Sequence, residues 1–146
     1  GGTASASDVT YGAAANACDN NAGTVWATNG TAPQWWKYDF GAAVAWEIGR
    51  VTIDCRLYEG NREIKDFTIA GSNNDSSWTN LYTGQCTNDA NKQTFDFNND
   101  TAYRYIRITV STSYRPTGQV SCEEFEAFEI LPIHKSGIAI GSPWIF

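Results

Sequence analysis

In Trp35-Trp36-Lys37-Tyr38-Asp39-Phe40, the set Trp36, Tyr38 and Phe40 alternates with Trp35, Lys37 and Asp39. Successive side chains of a strand point to opposite faces, so this period of two predicts a strand with one buried face. The pattern recurs outward from there. Val51, Ile53, Cys55 and Leu57 alternate with Thr52, Asp54 and Arg56, and Phe67 with Ile69, Phe95 with Phe97, and Ile106, Ile108 and Val110 repeat it. Cys122 to Leu131 reads as a further strand, although Phe125, Phe128 and Ile130 do not alternate cleanly. Turn-forming clusters separate these runs: Asn29-Gly30, Glu59-Gly60-Asn61, Gly71-Ser72-Asn73-Asn74-Asp75 and Gly84-Gln85. No long segment has helical periodicity. Many short strands with turns at this spacing predict an all-β chain, an antiparallel sandwich or barrel.

Composition narrows the function. The 146 residues suit one domain with a sizeable core. The net charge of −6 disfavours nucleic acid and anionic membrane lipid, both of which are attracted chiefly by Lys and Arg. Six Trp, seven Tyr and seven Phe exceed what a core alone requires and leave aromatics for a binding face. No apolar run approaches a membrane span. The chain starts Gly1-Gly2, which reads as a processed or excised piece. Cys18, Cys55, Cys86 and Cys122 are dispersed, without zinc spacing, and His134 is the single histidine. An even, dispersed set fits two disulfides in an oxidising compartment, with three pairings open. Sequons at Asn29, Asn74 and Asn99 fit chance in a chain this rich in Asn, Ser and Thr.

Two segments stand apart from the strand pattern. Ala17-Cys18-Asp19-Asn20-Asn21-Ala22-Gly23-Thr24-Val25-Trp26 places an acid, amides and a hydroxyl in one loop before a large aromatic. Calcium takes six to eight oxygen ligands, so the loop can hold it, and it also reads as a plain polar turn. Residues 132–146 are apolar and punctuated by Gly and Pro. They read as an extra strand, a junction, or an arm that docks on a neighbouring chain.

Several ordered pieces carry a family resemblance. They are Ala17-Cys18-Asp19 through Thr24-x-Trp26, Gln34-Trp35-Trp36-Lys37-Tyr38-Asp39-Phe40-Gly41, Arg50-Val51-Thr52-Ile53, Ile64-Lys65-Asp66-Phe67, Gly71 to Trp78, Tyr105-Ile106-Arg107-Ile108 and Glu124-Phe125-Glu126. In this order they resemble the discoidin-type module, the coagulation factor V/VIII C-type domain of the galactose-binding-like group. Family 32 carbohydrate-binding modules are the nearest members. The resemblance covers residues 3 to 131, with Ser5-Ala6-Ser7 ahead of the first strand, and implies a jelly-roll β-sandwich over 1–131 with 132–146 as a tail. Asn20 stands where the family has glycine, and asparagine tolerates left-handed backbone.

The resemblance also implies a structural calcium ion. Asp19 and Glu124 would supply carboxylates, Thr24 its hydroxyl and carbonyl, Asn21 an amide or carbonyl oxygen, and Asn16 or Ala17 a further carbonyl. If the loop and last strand meet, Cys18 pairs with Cys122 and Cys55 with Cys86. A glycan, galactose or another sugar, would be held by loops at one end of the sandwich. Arg56, Asn61 and Arg62 would donate hydrogen bonds and Glu59 accept them, with Tyr58 in the same loop. Tyr114 and Arg115 would form a stacking wall, with Trp46 a further contact. Galactose-binding members carry a histidine in the loop after Trp26; this chain does not. The expectation is a non-catalytic, secreted or cell-surface module for carbohydrate binding and adhesion. The competing expectation is a structural subunit of a filament, virion or surface layer that assembles through the tail.

Overall fold

The computed structural model describes residues 1–55, 57–58, 61–89 and 91–129, those at 57–58 and 61–62 by backbone alone. The strands are β1 (Thr3–Ala6), β2 (Tyr11–Gly12), β3 (Trp26–Ala27), β4 (Gln34–Asp39), β5 (Ile48–Asp54), β6 (Leu57–Tyr58), β7 (Asn61–Arg62), β8 (Asp66–Ser72), β9 (Thr79–Gln85), β10 (Gln93–Asp96), β11 (Tyr105–Val110), β12 (Ser121–Cys122) and β13 (Glu124–Glu129). One 3-10 helix, Ala14–Cys18, lies between β2 and β3. A five-stranded sheet runs β1-β4-β11-β8-β9, a three-stranded sheet β10-β5-β13, a three-stranded ribbon β12-β3-β2, and β6 pairs with β7. Every pairing is antiparallel. The expected all-β sandwich is what forms. The tail at 132–146, with its proposed arm, lies outside the described residues.

The alternation places the core. Trp36 and Tyr38 of β4 and Ile106, Ile108 and Val110 of β11 are buried, whereas Trp35, Lys37, Tyr105 and Arg107 face outward. Trp36 of the five-stranded sheet meets Phe125 of the three-stranded sheet at 5.2 Å between ring centres, and Phe67 meets Phe95 edge-on at 4.9 Å. These pairs join the two layers. The Trp36 indole N–H donates to the Ala14 carbonyl at 2.7 Å, so a buried polar group is satisfied and the short helix is pinned to the core.

Three elements depart from the sequence reading. β1 begins at Thr3, so Ser5 and Ala6 belong to the first strand and pair with β4. β9 pairs with β8 across a bulge and is largely exposed at the sheet edge, which removes the alternation that would have announced it. In β13 the inward face after Glu124 is carried by Phe125 and Ala127, while Phe128 lies on the opposite face, so its aromatics do not alternate; the register with β5 shifts only beyond Phe128.

The expected disulfide pairs are corrected. All four cysteines are buried, and no disulfide joins Cys18 to Cys122 or Cys55 to Cys86. The Cys18 thiol folds back onto the Ala15 carbonyl of its own helix, at 3.3 Å. Cys122 lies against Cys55, and its thiol reaches the Asp54 carbonyl at 3.3 Å.

Trp26 is fully buried, and its indole N–H donates to the Asp8 carbonyl at 2.8 Å. Replacing it by alanine removes both core volume and this tie. Trp26→Ala is expected to cost about 3–5 kcal/mol in urea denaturation, and a loss below 1 kcal/mol would show that β3 does not anchor the ribbon.

Candidate functional site

Two-residue strands build the site. In the ribbon, Tyr11 and Ser121 both stand opposite Ala27, while Gly12 and Cys122 stand opposite Trp26. Alternation sends Trp26 and Cys122 into the core, so Tyr11, Ala27 and Ser121 share the other face. The close packing needs glycine at position 12. Its φ is +69°, and a Cβ there would fall 1.9 Å from the Val25 carbonyl oxygen.

That outer face floors a cavity of about 370 Å³, lined by Tyr11, Val25, Ala27, Thr28, Asn29 and, across from them, Glu63, Arg115, Gln119 and Ser121. Backbone bonds join the two sides of its mouth: Thr28 N–H donates to Val120 O at 2.9 Å and Ala32 N–H to Gly118 O at 2.8 Å. The Asp8 carboxylate accepts the Asn29 and Gly30 amides at 3.0 and 2.9 Å, which fixes the 28–30 turn and lowers the Asp8 pKa, the Gly30 bond most of all.

The cavity chemistry is mixed in the way a polar ligand with apolar faces requires. Tyr11 is 66% exposed, a free aromatic surface at the rim. Arg115 Nη1 donates to Glu63 Oε1 at 2.5 Å, and the Glu63 side chain is only 5% exposed. Ser121 is 2% exposed, and its hydroxyl has no hydrogen-bond partner among the described residues. An unmet buried hydroxyl is costly, and a bound polar molecule would satisfy it.

Of the binding residues expected from sequence, Arg115 is in the cavity. Tyr114 is not: its hydroxyl donates to the Cys86 carbonyl at 2.8 Å and Lys65 sits 5.4 Å over its ring, so both its edge and its face are engaged. Trp46 is also misplaced. It bridges Tyr103 beside the Asp39–Tyr105 end of the sheet and packs on the core, whereas the cavity lies at the opposite, Gln34–Val110 end. The backbones of Tyr58, Asn61 and Arg62 form the β6–β7 hairpin, which leads into Glu63. Their side chains, and Arg56 and Glu59 entirely, lie outside the described residues. Tyr11, Asn29, Gln119 and Ser121 escaped the sequence reading because two-residue strands and loops have no period.

The oxygen-rich loop and the last strand do meet. Asn21 N–H lies 2.6 Å from Glu124 Oε1 and 3.0 Å from Asp19 Oδ1. The Thr24 hydroxyl stands 2.8 and 2.9 Å from the two Asp19 carboxylate oxygens and 2.8 Å from the Asn21 carbonyl. Asn20 turns the loop at φ 58°, as expected of asparagine in a glycine position. One hydroxyl proton faces three acceptors, and Glu124 shares the corner with a second carboxylate. Burial first, then Asp19, raises the Glu124 pKa against the lowering effect of the Asn21 amide. Burial, reinforced by Glu124 and Asp19, pushes the neighbouring Cys18 thiol up to about 12. The donor set, two carboxylates with neutral oxygens, fits a hard divalent cation. Among the described residues no group of three or more His, Cys, Asp or Glu forms a metal site, so neutral oxygens would carry part of any coordination.

Comparisons place this geometry. The profile described as "NedA-like, galactose-binding domain" matches residues 16–108. No curated protein matches the chain. Among solved structures, CpGH89CBM32-5 from Clostridium perfringens in complex with GalNAc-β-1,3-galactose superposes with a TM-score of 0.76 at 20% identity, covering 86% of this chain and 94% of that one. The family 32 module of C. perfringens NanJ in complex with galactose gives 0.74 at 24% identity, covering 86% and 92%. The CBM32 of AlyQ in complex with 4,5-unsaturated mannuronic acid gives 0.71 at 26% identity, covering 86% and 93%.

The raised Glu124 pKa has a sign that can be checked. A carboxyl that binds its proton more tightly folded than unfolded adds stability at low pH, and that contribution is lost as pH rises through the folded-state value. In chelator, Glu124→Gln is expected to flatten the fall in melting temperature between mildly acid and neutral pH. Parallel profiles for the two proteins would contradict the like-charge pair.

Proposed function

The chain belongs to the NedA-like, galactose-binding domain family, and from that premise we propose that it is a non-catalytic carbohydrate-binding module, working outside the cell in adhesion. The sugar sits in the cavity floored by Tyr11, Ala27 and Ser121. The observation that carries this reading is the Ser121 hydroxyl, buried and unpartnered in a cavity rimmed by an exposed tyrosine ring. A sugar presents both hydroxyls and an apolar C–H face. Tyr11 takes the C–H face. Ser121, Asn29 and Gln119 meet hydroxyls, and the Arg115–Glu63 pair offers a donor and an acceptor side by side. The solved relatives, in complex with galactose, GalNAc-β-1,3-galactose and 4,5-unsaturated mannuronic acid, support a sugar as the ligand class. The loop after Trp26, where galactose-binding members carry a histidine, has none here, so the contacts to the sugar come from the other cavity residues.

The corner of Asp19, Asn21, Thr24 and Glu124 is proposed to hold calcium. When bound, the ion would supply the positive charge that the two carboxylates lack. The chain's part is to bring the loop and β13 together, which already occurs through the Asn21–Glu124 contact. Because Val25 and Ala27 follow directly on this loop and line the cavity, the ion would steady the floor as well as the fold.

Two measurements test these roles. Galactose titrated by NMR should shift the Tyr11, Ala27 and Ser121 amides, and Tyr11→Ala should weaken binding about threefold to tenfold through loss of stacking. Silence on a glycan array together with no response to galactose would remove the cavity reading. Excess EDTA should lower the melting temperature and added calcium restore it, since a ion bound only by the folded state stabilises it; an unchanged melt would remove the metal.

A further inference from the structure

The outer face of the five-stranded sheet carries a charge arrangement that the cavity does not use. Lys37 of β4 and Arg107 of β11 stand directly opposite each other in register. Like charges in that position destabilise a sheet. Lys37 pairs with Asp75, and among the described residues no carboxylate is in salt-bridge contact with Arg107. The Arg107 Nε is buried and has no hydrogen-bond partner among the described residues. The neighbouring cation is already consumed, because Arg104 holds Asp39 through two bonds of 2.8 and 2.7 Å. Two cations therefore share one acid, on a chain whose net charge is −6.

Aromatic rings hold both cations in place. The Arg107 guanidinium lies 4.1 Å over the Trp78 ring and the Lys37 ammonium 5.5 Å over the Trp35 ring. The residues opposite them on the flanking strands are small: Ser5 faces Lys37 and Ala70 faces Arg107. Both cations are thus held against aromatic rings, which lowers the ordering cost of binding an anion. Burial also lowers the Arg107 pKa, with Asp75 acting in the opposite direction.

We infer that this sheet face is a second binding surface, separate from the cavity, that takes the carboxylate of a uronate-containing glycan between Lys37 and Arg107. The charge argument stands without the cavity, while the choice of a glycan as the anion's carrier rests on the carbohydrate-binding reading above. The incoming carboxylate competes with Asp75 for Lys37 and supplies Arg107 with the counter-charge it lacks.

The test is titration with an oligogalacturonate at low salt, followed by NMR, in parallel with galactose. Arg107→Gln should weaken oligogalacturonate about tenfold through loss of a charged hydrogen-bonding partner. Asp75→Asn should tighten it several-fold, by freeing Lys37. Asparagine accepts the left-handed backbone at position 75, φ 58°, so the substitution suits the turn, and a gain in affinity cannot come from misfolding. Shifts centred on Lys37, Arg107 and Trp78, with galactose binding unchanged in both variants, support the second surface. No oligogalacturonate binding, or binding that ignores both substitutions and shifts only cavity amides, overturns it. Failure of galactose to bind, with the uronate response intact, would instead remove the cavity reading and leave the sheet face standing.

Discussion

The burial of Trp26 is the constraint on which the site depends. Its indole is fully enclosed and tied to Asp8, which fixes the side of β3 that faces inward. Because a strand alternates, the position after it must face outward. Tyr11 and Ser121 are paired with that same outward position, so one buried tryptophan determines which three side chains floor the cavity. A slip of one residue in β3 would expose the indole and turn Ala27 inward in its place, a loss of buried area of the kind that sets strand register firmly. The floor is therefore as rigid as the core beneath it, while the rim residues come from loops that can vary without disturbing the sandwich.

Charge is distributed differently from volume. The interior is filled by aromatic and branched side chains, yet unbalanced charges of like sign meet at two surface positions. Asp19 and Glu124 crowd at one corner, and Lys37 opposes Arg107 on the sheet. Other charges meet their opposites: Arg50 holds Asp96, Arg104 holds Asp39, and Lys92 holds Glu126. Exposed pairs of this kind contribute little to stability. The unmatched ones matter more, because each retains a field that an ion of opposite sign can neutralise.

Sequence made the layers legible and the site only partly so. Trp36, Tyr38, Ile106, Ile108 and Val110 lie on strands of six residues, long enough for a period of two to emerge. The corner where the loop meets the last strand was legible for another reason: Asp19, Asn21 and Thr24 are close in the chain, and only Glu124 had to be supplied by the family resemblance. The cavity had neither aid. Tyr11, Ala27 and Ser121 come from three strands of two residues each, brought together by long-range pairing. Arg115 and Tyr114 are adjacent in one polar loop, and nothing in the sequence separates the one that lines the cavity from the one that does not. The Tyr114 hydroxyl serves the backbone of Cys86 instead. Trp46 shows the limit of reading aromatics as ligand platforms, since its backbone closes the far end of the sheet against Tyr103.

The corner of Asp19 and Glu124 and the cavity share one segment of chain, and this bears on how the two would be coupled. Asp19 to Thr24 makes the corner, Val25 and Ala27 line the cavity, and Trp26 between them is locked in the core. The Asn16 side chain adds a further tie, donating to the Val25 carbonyl at 3.1 Å from within the short helix. A cation that quenches the repulsion between Asp19 and Glu124 would thus act on the cavity through six residues of fixed backbone and not through a mobile lid. Were an ion and a sugar each to favour the same arrangement of this segment, linkage requires that each strengthen the other's binding to the same degree.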